Sequence, residues 1–261
     1  MYRRLALIIG NDYDHEKLNN CVTNANDFAD VLKQKCNYQV EFKSNLKSEE
    51  MHETINKFIL SIKTNDFIIF YFSGHAAQWR DQNFLLPFGN EKITSAKNMH
   101  RFAINAQSII DDMAEVNPHA VLFLFDCYCS YSIPTKVSNN ISTSNQIHGL
   151  NEMKAPEKTL IAFPDAANKV LLNQTRSKNN GLFTKYLIEH ITTPGVPIET
   201  ILTKVANDII KDTHNVQKLY RVGSLNAEVI FVEHVANTPE ARKQKSNPSN
   251  VSTINSPKNK N

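Results

Sequence analysis

The sequence predicts an α/β domain whose central sheet is mostly parallel and carries helices on both faces. Three observations lead there. Short, wholly apolar runs recur at Leu5–Ile9, Phe67–Phe72 and Ala120–Phe125, the pattern of strands buried on both faces. The stretches between them repeat their apolar residues at helical spacing. The strand–helix alternation then calls for right-handed crossovers, which lay helices against a parallel sheet.

Leu5–Ile9 is the first strand, closed by a turn at Gly10-Asn11. Thr23 or Asn24 is placed to cap a helix that carries Phe28, Val31 and Leu32 on one face. Tyr38–Phe42 alternates apolar and polar residues, as an outer strand does. A helix opening at Lys47 or Ser48 turns Met51, Ile55, Phe58, Ile59 and Ile62 inward. Phe67–Phe72 follows, then Ser73-Gly74-His75, and Asn83–Pro87 returns as a short strand. A helix over Ala106–Met113 leads to the strand Ala120–Phe125 and the segment Asp126-Cys127-Tyr128-Cys129-Ser130. Ser138–Gln146 is polar and is expected to be a loop. Thr159–Phe163 is a strand, Leu182–Ile191 a helix, and Ile198–Lys211 a helix with Ile201, Val205 and Ile209 inward. Val229–Val232 is expected to close the sheet. Past about Val235 the composition turns to Asn, Ser, Lys, Pro and Thr, as in a disordered tail.

The bulk properties narrow the function. With 261 residues the chain can bury the core of one large domain. A net charge of +3, with basic residues scattered, argues against nucleic-acid or membrane attraction. No apolar stretch approaches the ~20 residues that span a bilayer, and no secretory leader precedes the first strand. The four cysteines lack regular spacing and form no Cys-x-x-Cys pair, so neither a disulfide framework nor a zinc site is expected. No acidic cluster suggests calcium, and no cofactor is implied. A cytoplasmic protein with reduced thiols is the plain expectation.

Two of the apolar runs end in reactive side chains. In open α/β sheets the chemistry sits just beyond the carboxyl ends of the strands, and there the chain offers His75 from one run and a cysteine from the other. Cys127 and Cys129 stand 52 and 54 positions after His75. A neutral imidazole can take a proton from a thiol near pH 7, so such a pair can act as nucleophile and base. The plainer alternative for His75 is a loop histidine bonded to a backbone carbonyl. The plainer alternative for Cys129 is an inert thiol, and for Asp126 a helix N-cap. Gly74 can offer a backbone N–H to an oxyanion.

With these motifs in place the chain resembles the caspase-like cysteine peptidases, specifically the metacaspase and paracaspase branch, from about Arg4 to about Val232. Leu5-Ala-Leu-Ile-Ile-Gly-Asn11 is similar to the family's first strand and turn. Cys21-Val-Thr-Asn-Ala-Asn-Asp27 looks like the loop and helix start that follow. Phe70-Tyr-Phe-Ser-Gly-His75 resembles the strand ending in the catalytic histidine. Asn180-Gly-Leu-Phe-Thr184 and Tyr220-Arg-Val-Gly-Ser-Leu225 look like parts of the small-subunit half. The resemblance implies a three-layer caspase-like sandwich over residues 1–235. Within it, 1–133 corresponds to the large subunit, 134–157 to a polar linker of the kind cut on activation, and 158–235 to the small subunit. Residues 236–261 form the tail.

It also implies a set of roles. His75 corresponds to the general base. Asp126 matches the carboxylate lining the first specificity pocket in branches that prefer Lys or Arg, where it would pair with a cation. Asn24 stands where those branches carry a second pocket aspartate. Tyr220-Arg221 resembles an aromatic-basic pair in a substrate loop. The family's nucleophilic cysteine stands two residues after the aspartate, and here that position is Tyr128, flanked by Cys127 and Cys129. Two functions follow. One is a catalytically impaired protein that binds a caspase-like relative or signalling partner. The other is an active cysteine endopeptidase drawing its thiolate from Cys129 or Cys127, with a protein or peptide substrate.

Overall fold

The computed structural model describes residues 2–13, 20–93, 95–128, 150–164 and 180–233. Five parallel strands, β1 (Arg4–Gly10), β2 (Gln39–Ser44), β3 (Phe67–Trp79), β6 (Ala120–Tyr128) and β7 (Thr159–Pro164), lie in the order β2-β1-β3-β6-β7. The antiparallel β8 (Leu219–Gly223) extends the sheet beyond β7. A small ribbon of β4 (Gln82–Leu85) and β5 (Ile104–Asn105) continues from the end of β3. The helices are α1 (Cys21–Lys35), α2 (Ser48–Ser61), α3 (Ala96–Phe102), α4 (Ala106–Glu115), α5 (Leu182–Ile191) and α6 (Ile198–Asp212).

Side chains alternate across the sheet and build two separate cores. Leu7, Phe70, Phe72, Phe123 and Phe125 pack on one face with Met51, Ile55 and Phe58 of α2 and Ile110 and Met113 of α4. Ile8, Ile69, Tyr71, Leu122 and Leu124 pack on the other with Phe28 and Leu32 of α1, Leu187 of α5 and Val205 of α6. This is the three-layer sandwich that the resemblance implies. Among the described residues no helix is long and apolar enough to cross a membrane.

Helix α1 starts at Cys21, before the expected caps. The Asp12 carboxylate, nine residues upstream, accepts from the N–H groups of Cys21 (2.9 Å) and Val22 (3.1 Å), a cap no local pattern reveals. Asn24 is thereby freed from capping and is buried. The same helix lies hard against the end of β1: a Cβ on Gly10 would stand 2.6 Å from the Cys21 carbonyl oxygen. At α2 the Lys47 N–H donates to Glu50 Oε2 at 3.1 Å, the backward half of a capping interaction.

The sheet edge corrects one expectation. Val229–Val232 adds no strand; its β-pairing is one isolated bridge, Pro197 to Ile230, while Val229 and Phe231 are buried and the carbonyls of Val229 and Val232 accept from the N–H groups of Ile198 and Gly195. Arg4 holds that segment by donating to the carbonyls of Ile230 (3.0 Å) and Phe231 (2.6 Å). The edge belongs instead to β8. The linker expected over 134–157 is described only from Leu150, where Leu150 and Met153 are buried in the core and Asn151 exchanges hydrogen bonds with Asn83. The tail at 236–261 and the polar loop Ser138–Gln146 lie outside the described residues.

Candidate functional site

The strand ending in His75 runs further than its apolar stretch. β3 pairs in parallel with β6 from Phe67 to His75, and from Ala76 it pairs with β4 in the opposite direction. A two-residue turn at Arg80 and Asp81, both with positive φ, reverses the chain as type I′ hairpins do. Among the described residues His75 is the last one paired to β6, at the carboxyl edge of the parallel sheet. It lies within a strand, not on a loop, and is buried at 2 % exposure. Burial pushes its imidazole down to about 4, so the ring is neutral at pH 7.

Register decides which neighbour His75 has. Position 75 pairs with Tyr128, Gly74 with Cys127, and Ser73 with Asp126. Paired residues of parallel strands share a face and successive residues alternate. Asp126 thus shares the face of Ser73 and His75, and position 128 is paired with His75 in the backbone ladder. Cys127 belongs to the opposite face, buried in the core with Phe72 and Phe125, where its Sγ–H donates to the Phe72 carbonyl at a long 4.0 Å. Cys129 lies outside the described residues.

A clamp from the turn after β1 holds the histidine. The Tyr13 ring meets the His75 ring edge-on, centroids 4.2 Å apart. Tyr13 donates its hydroxyl proton to the Leu86 carbonyl at 2.7 Å, Asn11 Nδ2 donates to the same oxygen at 3.3 Å, and the Leu86 N–H returns to the His75 carbonyl at 2.9 Å. Gly74 makes room for this: an added Cβ would sit 2.7 Å from the Phe72 ring and 3.1 Å from the Tyr13 hydroxyl. Its lack of a side chain thus has a packing reason, whatever use its N–H has.

Asp126 is buried at 6 % exposure, one strand from His75. Its Oδ2 accepts from Thr184 Oγ1 (2.6 Å) and Asn24 Nδ2 (3.2 Å), with the Tyr71 hydroxyl at 3.5 Å. Burial pushes its carboxyl up to about 6, against the lowering effect of the two hydroxyls. Asn24 also donates to Ser73 Oγ at 3.3 Å and accepts from the Gly181 N–H at 3.0 Å. The Cys21 thiol beside Ser73 is pushed well up by burial and is inert as a nucleophile.

Tyr220 and Arg221 occupy strand β8, not a loop. Tyr220 stacks on Phe163 (4.7 Å) and donates to Glu152 Oε1 (2.9 Å), while Arg221 donates to the Glu199 carbonyl (3.0 Å) and Thr203 Oγ1 (2.9 Å) of α6. None of these partners belongs to the His75–Asp126 group. Trp79 packs with the Phe84, Leu86 and Met99 cluster under the ribbon. Tyr13, Tyr71, Ser73 and Thr184 carry contacts that no single residue type announced, although Tyr71, Ser73 and Thr184 sit inside the motifs quoted above.

A parallel sheet that delivers a histidine and an aspartate at the carboxyl ends of adjacent strands, between two helical layers, defines a caspase-like peptidase fold. The family model described as "Caspase domain" (Peptidase_C14) matches residues 3–256, and the chain belongs to that family. The structure of pro-sf-caspase-1 is similar at 14% identity and a TM-score of 0.58, covering 90% of this chain and 93% of that one. Protein GSU0716 from Geobacter sulfurreducens is similar at 13% identity and a TM-score of 0.59, covering 89% and 100%. Both likenesses concern the fold. Among curated proteins none matches the chain.

Proposed function

We propose that this caspase-domain protein, of the metacaspase and paracaspase branch, is catalytically impaired and acts in the cytoplasm by binding a caspase-like relative or signalling partner through a peptide segment. The observation that carries the reading is the register of β3 and β6, which sets Tyr128 against His75 and Cys127 against Gly74. A phenol with an ordinary pKa near 10 is a poor acyl acceptor at neutral pH. A thiol displaced by one residue stands ~3.8 Å along the chain, beyond hydrogen-bond tolerance for the base. Beside the histidine strand the chain keeps a carboxylate at Asp126, and Asn24, without the second charge, turns its amide donor to that carboxylate and its oxygen to the Gly181 N–H. The Asp126 carboxylate receives a basic side chain of the partner segment.

The test is turnover. Wild-type protein is expected to leave basic, acidic and asparaginyl reporter peptides uncut, and Tyr128→Cys to gain cleavage after Lys or Arg that His75→Ala removes. Cleavage by the wild-type protein that disappears in His75→Ala would overturn the reading in favour of an active cysteine endopeptidase. Loss of that cleavage in Cys129→Ala or Cys127→Ala would then name the nucleophile.

A further inference from the structure

We propose that Thr184 is a positioning residue for Asp126: its hydroxyl, held by Tyr71, fixes the carboxylate as the anion that meets a partner's cationic side chain. The inference rests on the reading of the Asp126 pocket given above and adds the groups that make it work. Thr184 is fully buried in the first turn of α5, and its Oγ1 lies 2.6 Å from both Asp126 Oδ2 and the Tyr71 hydroxyl. A hydroxyl has one proton to give. The bond to the carboxylate consumes it, so Tyr71 must donate to Thr184, and the relay runs from Tyr71 through Thr184 to Asp126. A donor that is itself hydrogen-bonded is polarised and gives a stronger bond to an anion.

The placement of Thr184 matters as much as its chemistry. Asp126 comes from β6 and Asn24 from α1, both in the first half of the chain, whereas residues 180–184 belong to the second. That short segment holds both pocket side chains: Thr184 the carboxylate, and the Gly181 N–H the Asn24 amide. Asn180 Nδ2 adds a bond to Asp27 Oδ2 at 3.0 Å, further along α1. Docking of α5 and the charge of the pocket are thereby one event. Burial alone favours a neutral carboxyl, and the relay opposes it.

The carboxyl of Asp126 can be followed directly by carbon NMR as pH is varied. In wild-type protein it is expected to titrate near the value of about 6 that its surroundings set. In Thr184→Val, which preserves shape and removes the donor, the midpoint is expected to rise toward or past neutrality; Thr184→Ser should restore it. Binding of N-acetyl-arginine methylamide at pH 7 should fall about tenfold in Thr184→Val, the equivalent of about 1.4 kcal/mol, and recover in Thr184→Ser. An unchanged Asp126 titration in Thr184→Val overturns the positioning role. A titration that shifts as expected in a protein that never binds the arginine probe upholds that role and overturns the basic-ligand reading of the pocket. Should Thr184→Val fail to fold, Tyr71→Phe must raise the midpoint in the same direction by less, and no shift there overturns the relay.

Discussion

Asn24→Asp is expected to destabilise the protein by about 3 to 5 kcal/mol at pH 8 and by much less at pH 5. The amide of Asn24 donates to Asp126 Oδ2 at 3.2 Å and to Ser73 Oγ at 3.3 Å. A carboxylate there loses the first donor and sets two anions in hydrogen-bond contact inside the protein. Two such groups cannot both ionise, so the native state must hold a proton that the unfolded chain releases. A native state that binds the extra proton loses stability as pH rises. Urea denaturation of wild type and variant at the two pH values measures this. An equal loss at both would show that the damage is steric and that the charge of the pocket does not matter.

The two titrating groups of the site should drive stability in opposite directions over the same pH range. His75 has its imidazole depressed to about 4. Its contribution is complete above the ordinary histidine value near 6.5 and is lost as pH falls toward 4. Asp126 has its carboxyl raised to about 6. Its contribution is complete below the ordinary aspartate value near 3.9 and is lost as pH rises through about 6. At about 1.4 kcal/mol for each tenfold change in ionisation, each effect amounts to roughly 3 kcal/mol. In wild-type protein they largely cancel. With Asp126→Asn the histidine effect stands alone, and stability should drop by roughly 3 kcal/mol between pH 6.5 and 4. With His75→Gln the slope should reverse and stability rise over the same interval. Parallel slopes in the two variants would mean that other groups control the acid limb.

Much of the fold was legible because buried parallel strands leave long apolar runs. Leu5–Ile9, Phe67–Phe72 and Ala120–Phe125 each fall inside an observed strand, and α5 spans Leu182–Ile191 as expected. The misses have physical causes. The extension of β3 through His75 to Trp79 contains Ser, Gly, His and Gln, which read as a turn; pairing to β6 and then β4 overrides that local preference. The short helix Ala96–Phe102 and strand Ile104–Asn105 are too brief for periodicity to show. Val229–Val232 reads as a strand from its apolar residues, yet Val229 and Phe231 are buried in the core, with Phe231 stacked on Tyr38, and the segment makes one bridge rather than joining the ladder.

The site was partly legible. Residues near one another in sequence, such as Asp126 to Cys129, announce themselves by type, and alternation along a strand then separates Cys127 from position 128. Contacts across long distances in sequence leave no such trace. Asp12 capping α1, Tyr13 against His75, and Thr184 on Asp126 58 positions away appear only once the chain is folded. Tyr220-Arg221 shows the converse: a suggestive pair whose partners, Phe163 and α6, give it a packing role in an edge strand.

In the proposed reading the base His75 has position 128 as its partner in the β6 register, while Cys127 pairs with Gly74 and belongs to the opposite face of the sheet. Alkylation by iodoacetamide, with the modified cysteines located by mass spectrometry, tests this most directly. Tyr128→Cys should gain one rapidly labelled thiol at position 128 whose rate collapses when His75→Ala is added, while Cys127 stays unlabelled in the folded protein. Rapid labelling of Cys127 or Cys129 in the unsubstituted protein, slowed by His75→Ala, would make that cysteine the partner of His75 and the protein a working cysteine peptidase.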